Sequence, residues 1–510
     1  MLLSPPLAVL LLGLQSALCL GLGGQNLWLL KDKVLRSQEQ RAQRYLLESW
    51  KAFPARSKGG WTEPREGFFP QPLDHFNRRN NATYKQRFWV NTELWEREQG
   101  PVFLYIGGEG ALTPYSVLAG EHVDLARKYR ALLVSLEHRY YGASINPDGL
   151  TDQKIQFLSS QQALADLATF HAFISQQYNL TRSNTWICFG GSYPGSLSAW
   201  FRLKFPHLVY AAVASSAPVR AQLDFTAYNK VVSQSLSNPI VGGSLKCRAA
   251  VAHVFSRLDQ ILKGGNTSGL EADFGSCRKL NGSDDYGEFV SNLADIIMGT
   301  VQYNQETPDN SIANLCQVMT NHSLGSAYQR LVLLNKNYMA SMELKCVDNS
   351  HQNVLEKLRS TEVKPYGVGE RQWYYQTCAE FGYYQTCEDE GCPLSRWMTL
   401  QSQVGVCAQI FGIHPGSVQQ AVYFTNEYYG ADHPESSRII FVNGNIDPWH
   451  ALSVLKNQSS SEVAVVINGT AHCANMNPPE DRDPPSLRQA RQKIDDQIGI
   501  WLASAHQYPW

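Results

Sequence analysis

The chain has 510 residues, of which 43% are apolar and 11% aromatic, and this is enough for a large hydrophobic core. Its 44 basic and 45 acidic residues are interspersed and give a net charge of about −1. This balance argues against nucleic acid or an anionic membrane surface as a partner.

Residues 1–22 have the features of a secretory signal peptide. Leu7–Leu14 form a short apolar core, and Ala17-Leu18-Cys19 suits a signal-peptidase site. A transmembrane anchor is disfavoured because the apolar stretch is short, and no later segment is long and apolar enough to span a bilayer. We therefore expect a soluble protein, lumenal or secreted. Residues 23–66 are polar with helical tendency and are predicted to be a lead-in or propeptide-like segment.

Globular structure is predicted to begin near Gly67 with alternating strands and helices. Continuous apolar runs predict strands at 102–106, 131–136, 185–189 and 210–215. Between and after them, helical spacing of apolar residues recurs at 115–129, 161–174 and 197–205. Strands that are apolar on both faces and alternate with helices indicate a parallel sheet covered by helices.

This pattern stops near Pro218 and resumes with strands at 438–442 and 463–467 and a helix at 487–504. The intervening residues are mainly helical in pattern. We predict an α/β domain, formed by residues 67–219 and 431–510, that is interrupted by a helical cap at 220–430.

The cap region holds eight of the eleven cysteines: Cys247, Cys277, Cys316, Cys346, Cys378, Cys387, Cys392 and Cys407. An even set within one region of an exported chain predicts disulfides, whose connectivity the sequence does not define. Paired Cys-x-x-Cys spacings are missing, so a zinc site is not expected. Cys188 and Cys473 are expected to be free, buried thiols.

Seven Asn-x-Ser/Thr sequons predict a glycoprotein and mark surface positions. They lie at Asn81, Asn179, Asn266, Asn281, Asn321, Asn457 and Asn468.

The predicted strand at 185–189 runs directly into Gly190-Gly191-Ser192-Tyr193-Pro194-Gly195. A glycine-flanked serine between a strand and a helix is typical of a nucleophile held on a strained turn. Proline stands where the usual Gly-x-Ser-x-Gly pattern has its second glycine. Because proline disfavours helical geometry in the preceding residue, we expect Pro194 to reshape this turn and weaken activity.

Two further side chains follow predicted strands and complete a candidate triad. Asp447 comes after the strand at 438–442, and His472 after the strand at 463–467. The chain order Ser192, Asp447, His472 is that of the α/β-hydrolase fold. His472 would act as general base and acid, with Asp447 holding its imidazole, and acyl transfer through serine needs no cofactor or metal. His450 competes as the base, and Asp447 could instead only cap a helix.

The oxyanion of acyl transfer requires fixed donors. The fold supplies the amide after the nucleophile, here Tyr193, and we expect the second from the glycine loop at Gly107 and Gly108. Glu109 in that loop could meet the α-amine of a substrate or only hold its own loop.

Other polar and aromatic clusters have structural explanations. Glu137-His138-Arg139 is predicted to be an ion-pair cluster behind the site, and Asp74-His75 to brace the sheet edge. The aromatic residues 373–375 and 381–384 are expected in the cap core, with lining of the cleft as the alternative.

Several of these motifs together resemble the S28 serine peptidases, a family that includes prolyl-Xaa carboxypeptidase and dipeptidyl peptidase II. The matching segments are Gln71–Phe76, Gly107–Gly110, Glu137–Gly142, Gly190–Tyr193, Asp447–Trp449 and Ala471-His472. The resemblance implies an α/β-hydrolase domain with a helical, disulfide-bonded cap and the Ser192–Asp447–His472 triad. It also implies cleavage of peptides after proline or similar residues in endosomes and lysosomes, a role in peptide processing for antigen presentation, and Trp449 as a wall of the S1 pocket.

The leading hypothesis is therefore an endosomal, lysosomal or secreted serine peptidase that acts on short peptides or chain ends through an acyl-enzyme on Ser192. An esterase on the same fold and a catalytically silent binding glycoprotein are the alternatives. Peptide substrates are the expected partners, and a homodimer is left open.

Overall fold

The computed structural model describes residues 25–52 and 63–507. The predicted signal peptide, residues 1–22, lies outside the described residues. No helix in these two described ranges is long and apolar enough to cross a bilayer.

An eight-stranded sheet forms the centre of the molecule. Its strands are β1 (Arg65–Pro72), β2 (Thr83–Asn91), β3 (Val102–Ile106), β4 (Leu132–Leu136), β5 (Trp186–Gly191), β6 (Ala211–Ser215), β9 (Ile439–Gly444) and β10 (Glu462–Ile467), while β7 (Gln222–Asp224) and β8 (Gly382–Tyr384) pair separately.

The strand order in the large sheet is β1-β2-β4-β3-β5-β6-β9-β10. The six strands from β4 to β10 in this order run parallel, and β1 and β2 pair antiparallel at one edge. This arrangement confirms the predicted α/β-hydrolase fold.

The central strands are apolar throughout because both of their faces are covered. In β5, Ile187 and Phe189 join one core cluster, whereas Cys188 points to the opposite cluster. Ile494, Ile498 and other residues of the C-terminal helix cover the first of these faces. The side-chain alternation along each strand therefore divides the core into two layers.

Helices surround the sheet and continue into the inserted region. The first five are α1 (Gln25–Ala52), α2 (Glu121–Tyr129), α3 (Asp152–Ile155), α4 (Ser160–Tyr178) and α5 (Tyr193–Lys204). Between β7 and β9 lie α6 (Thr226–Leu236), α7 (Leu245–Lys263), α8 (Ser268–Asp273), α9 (Ser283–Gln302), α10 (Ile312–Thr320), α11 (Ala327–Ser341), α12 (His351–Arg359), α13 (Glu370–Gln376), α14 (Leu400–Phe411) and α15 (Pro415–Tyr429). The C-terminal helix is α16 (Pro485–Gln507). We call helices α6–α15 and the segments that join them the cap.

Four disulfides hold the cap, and they use all eight of the cysteines predicted for this role. The pairs are Cys247–Cys316, Cys277–Cys346, Cys378–Cys407 and Cys387–Cys392. Cys188 is free and buried as predicted, whereas Cys473 is free but only half-buried. All seven sequon asparagines are exposed, as surface positions require.

Helix α1, within the segment predicted to be a lead-in, packs along the cap. Leu30 and Val34 are buried against it. At its start, the Leu27 amide donates to Asp295 Oδ2 at 2.9 Å, and Asn26 Nδ2 donates to the Asn292 carbonyl at 2.7 Å. These contacts with α9 place α1 beside the cavity described below.

Candidate active site

The candidate catalytic residues lie at the carboxyl ends of four parallel strands of the same sheet. Ser192 follows β5, Gly107 and Gly108 follow β3, and the two remaining loops follow β9 and β10. Open parallel sheets build their sites at this edge because the loops after adjacent strands converge there.

Ser192 occupies a strained turn between β5 and α5. Its φ of 64° and ψ of −134° are unfavourable for a residue with a side chain. The turn is tied at both ends, since the Ser192 amide donates to the Ser215 carbonyl and the Gly195 amide donates to the Ser192 carbonyl, each at 2.9 Å. The glycines are required by space: a Cβ on Gly190 would lie 2.1 Å from the Pro194 carbonyl oxygen, and one on Gly191 would lie 2.2 Å from Met476 Sδ.

Pro194 does not reshape the turn, contrary to the expectation from sequence. Helix α5 begins at Tyr193 with Pro194 in its first turn, and Ser192 keeps the strained conformation of a nucleophile elbow. The physical reason is that the first amides of a helix have no intrahelical acceptor, so the missing N–H of proline costs nothing there.

Asp447 and His472 are in direct contact. His472 Nδ1 donates to Asp447 Oδ2 at 2.9 Å, while Asp447 Oδ1 accepts the Trp449 amide at 3.0 Å. The carboxylate therefore both caps the short helical turn that follows it and orients the imidazole. His450 is the weaker candidate, because its Nδ1 bonds the main-chain oxygen of Asp447 at 2.7 Å rather than the carboxylate, and because His472, not His450, lines the same cavity as Ser192.

Both members of this pair are buried, Asp447 at 0% and His472 at 7% exposure. Burial lowers the pKa of His472, but the charge of Asp447 and its hydrogen bond outweigh that effect and leave the pKa well above its usual value. An imidazole held in this way stabilises the imidazolium that forms when a serine loses its proton.

The two glycines of the β3 loop differ in what their amides can do. The Gly107 amide donates to the Leu136 carbonyl at 2.9 Å, within the β3–β4 ladder. This corrects the expectation for Gly107, because an amide already bonded in the sheet cannot serve an oxyanion. Gly108 is the residue of this loop that lies against the elbow, since a Cβ on it would sit 2.2 Å from Pro194 Cγ. The candidate donors are thus the amides of Tyr193 and Gly108.

Ser192 and His472 line one cavity of about 610 Å³. Trp449 forms part of the cavity wall. The rings of Phe225, Tyr228 and Tyr383 pack around its indole, with distances of 5.3–5.9 Å between ring centroids. Glu109 also faces the cavity, where its carboxylate pairs with Lys31 of α1 at 3.2 Å. Of the aromatic cluster expected in the cap core, Trp373, Tyr374, Tyr383 and Tyr384 line this cavity as well.

The sequence pattern of the serine carboxypeptidase S28 family matches residues 71–494. The chain belongs to this family. It is 43% identical over 485 residues to the human thymus-specific serine protease, in an alignment that covers 94% of this chain and 93% of that protein. The mouse thymus-specific serine protease is 45% identical over 86% of this chain and 88% of its own length. The human lysosomal Pro-X carboxypeptidase is 29% identical, over 85% of this chain and 88% of its own length. The chain is thus a serine peptidase of the S28 family.

Glu137 and Arg139 form ion pairs, as expected, but their partners lie outside the predicted 137–139 cluster, and His75 joins one of these pairs. Arg139 Nε bonds Asp166 Oδ2 at 2.6 Å, and His75 Nε2 reaches the other carboxylate oxygen at 2.7 Å. Glu137 accepts from Arg87 at 2.5 Å.

His138 contacts the elbow more directly than its neighbours in the sequence do. Its Nε2 lies 3.0 Å from the hydroxyl of Tyr193, the residue that follows Ser192. Both side chains are buried, so this hydrogen bond fixes the Tyr193 ring at the start of α5.

A second buried group supports the His472 loop. Asn475 Nδ2 donates to Glu121 Oε2 at 2.8 Å and to Ser215 Oγ at 3.0 Å. The other oxygen, Glu121 Oε1, has no hydrogen-bond partner among the described residues. Burial raises the pKa of Glu121 to about 7, although the Asn475 bond opposes this shift.

Sequence reasoning missed several residues that border the cavity of this S28 peptidase. Gln302 and Tyr303 come from the end of α9, and Trp28 and Lys31 come from α1. None of them belongs to a local motif, so the sequence carried no signal that would place them near Ser192.

Proposed function

We propose that this S28 peptidase hydrolyses short peptides or chain ends through an acyl-enzyme on Ser192. The observation that carries the proposal is the hydrogen bond from His472 to Asp447, on the same cavity as a serine in nucleophile-elbow geometry. In this assignment His472 is the general base and acid, and Asp447 holds its tautomer and stabilises the imidazolium.

The proposed reaction needs the side chains and amides of the site and one water molecule. His472 Nε2 takes the hydroxyl proton as Ser192 Oγ bonds to the carbonyl carbon, and the amides of Tyr193 and Gly108 hold the oxyanion. The intermediate then expels the amine, which leaves with the proton from His472. A water molecule then attacks the acyl-enzyme and gives a proton to His472. His472 returns a proton to Ser192 Oγ as that atom leaves, and the water oxygen becomes part of the new carboxylate. The imidazole of His472 thus transfers a proton both when the acyl-enzyme forms and when water hydrolyses it.

The walls of the cavity support a preference for short substrates. A cavity of about 610 Å³ lies within the range of roughly 300–1,000 Å³ that encloses small ligands. The cap and α1 both contribute walls, so a folded protein would not reach Ser192. We place the S1 pocket at Trp449, whose aromatic surroundings suit proline or a similar apolar side chain. Glu109 would meet a cationic substrate group such as an α-amine.

We further propose that the enzyme acts in the endosomal or lysosomal lumen or after secretion, where it processes peptides, including those for antigen presentation. Four disulfides and seven exposed sequons support the secretory route. A relative named lysosomal Pro-X carboxypeptidase supports both the compartment and the proline preference.

Fluorophosphonate labelling tests the catalytic assignment. We expect an adduct on Ser192 in the full chain and no adduct in Ser192→Ala. Ser196→Ala, which changes another serine of α5, should label like the unaltered protein. If no condition between acid and neutral pH gives an adduct, the assignment is wrong.

A peptide-library digest then tests the substrate. Products released after proline or a similar residue from short peptides would support the proposal. Cleavage of ester substrates alone would favour the esterase alternative, and the position of the cut distinguishes carboxypeptidase from aminopeptidase action.

A further inference from the structure

Gln302 of the cap contacts both loops of the candidate triad. It is the last residue of α9, is 5% exposed and lines the cavity that holds Ser192. Its main-chain oxygen accepts the His472 amide at 3.1 Å. Its side-chain Oε1 accepts the indole N–H of Trp449 at 3.1 Å and the hydroxyl of Tyr228 at 2.6 Å.

Two of the residues that Gln302 contacts, Trp449 and His472, are both hydrogen-bonded to Asp447. The Trp449 amide donates to Asp447 Oδ1, and the other oxygen of that carboxylate holds His472. One residue of the cap therefore fixes the side chain of Trp449 and the main chain of His472 at the same time. The next residue, Tyr303, adds a ring contact with the His472 imidazole at 6.3 Å.

The indole of Trp449 needs a directional contact. The surrounding rings are apolar partners that tolerate small rotations and shifts of the indole plane. The N–H bond to Gln302 has a preferred angle and length, so it selects one orientation. An unpaired indole N–H in this buried position would be unfavourable, and the ring would turn to find another acceptor.

We propose that Gln302 is a positioning residue that sets the S1 wall by orienting Trp449 and thereby determines which P1 side chains are accepted. The inference rests on the proposed acyl-enzyme mechanism at Ser192. In this proposal Gln302 acts through its side-chain amide oxygen, which accepts the Trp449 indole N–H, and does not touch the reacting atoms. Apolar P1 residues that pack on the indole should depend on it most, and alanine at P1 should depend on it least.

The test uses Gln302→Met, which keeps the side-chain length and removes the acceptor. For peptides with proline or another large apolar P1 residue, kcat/KM should fall about 10–100-fold, mainly through KM, because a misplaced wall disturbs binding geometry. For P1 alanine the loss should be several times smaller, and the rate of fluorophosphonate labelling should change little. Asn335→Leu, which removes a buried hydrogen bond elsewhere in the cap, is the matched control and should leave P1 selectivity unchanged.

Two further variants separate positioning from a general structural role. Gln302→Glu keeps an acceptor for Trp449 and should restore most of the P1 selectivity that Gln302→Met loses. In a Trp449→Phe background, which has no indole N–H, Gln302→Met should have a much smaller effect on selectivity than it has alone.

The outcomes are distinguishable. Equal losses for large and small P1 residues, or selectivity in Gln302→Met that matches the unaltered enzyme, would overturn the inference. Failure of the unaltered enzyme to label at Ser192 would instead overturn the proposed function on which it rests.

Discussion

The carboxyl edge of the sheet and the cap with α1 border the same cavity but contribute different groups. The edge supplies Ser192, Asp447 and His472 from loops that directly follow strands. The cap and α1 supply Gln302, Lys31 and aromatic rings that meet the cavity from other parts of the chain. In the proposed mechanism the edge therefore holds the groups for bond cleavage, whereas the surrounding layer holds groups suited to substrate selection.

The difference has a physical origin. Hydrogen bonds between parallel strands fix the distances between the strands and therefore the positions of the loops that follow them. Such fixed positions suit proton transfer, which tolerates little displacement of the reacting groups. The side chains of the cap and α1 border the cavity without following a strand of the large sheet, so their positions depend on helix packing. Changes at the edge should thus reduce the rate of the chemical step, and changes in the layer above should alter selectivity.

The largest effect is expected for a change at the centre of the edge. His472→Gln removes the proton acceptor and should lower kcat/KM for a peptide by about 10⁶-fold. His450→Gln is the matched control, because His450 Nδ1 bonds the main-chain oxygen of Asp447 rather than its carboxylate, and this variant should retain activity within a few-fold. Steady-state kinetics on one fluorogenic peptide compares the two. Equal losses would contradict the assignment of His472 as the base.

The next effect concerns the oxyanion donors. Gly108→Ala would place a methyl group 2.2 Å from Pro194 Cγ, so the loop must move and kcat should fall about 10²–10³-fold. Gly110→Ala in the same loop is the control, since its Cβ would meet its nearest neighbour at 3.9 Å.

A second-site change sharpens this result. Pro194→Gly removes the ring that the methyl group introduced by Gly108→Ala would strike, so the double variant should recover much of the lost kcat. A double variant as slow as Gly108→Ala alone would show that the loop acts in some other way.

A smaller effect, on stability, is expected behind the edge at Glu121. Its pKa is about 7 when folded against 4.5 for an ordinary glutamate, so the unfolded chain ionises first and stability falls as pH rises from 4.5 to 7. The shift corresponds to about 3 kcal/mol. Glu121→Gln keeps an acceptor for Asn475 and should be more stable than the unaltered protein at neutral pH but not at pH 4. Thermal unfolding of both proteins across this range measures the difference, and parallel curves would contradict the prediction.

The smallest effect is expected where α1 meets the β3 loop. Lys31→Met releases the Glu109 carboxylate from a partly buried ion pair worth about 1 kcal/mol, so peptides with a free α-amine should gain about fivefold in kcat/KM over their acetylated forms. Lys33→Met changes a lysine of the same helix outside the cavity lining and should not alter this ratio. If Lys31→Met affects both peptide forms equally, Glu109 does not bind the amine.

The sequence by itself determined the fold class, the elbow and the identity of the candidate triad, because each of these depends on local order along the chain. A buried strand followed by glycines and a serine encodes the turn at Ser192, and the strands before Asp447 and His472 bring both to the same edge. The eight paired cysteines were also evident from their number and region.

Only the tertiary structure decided which neighbours complete the site. It assigned the cysteine pairs, showed that the Gly107 amide is used within the sheet, and placed Lys31 and Gln302 beside the cavity. These facts depend on contacts between segments that are far apart in the chain, and such contacts follow from packing rather than from any periodic or local pattern.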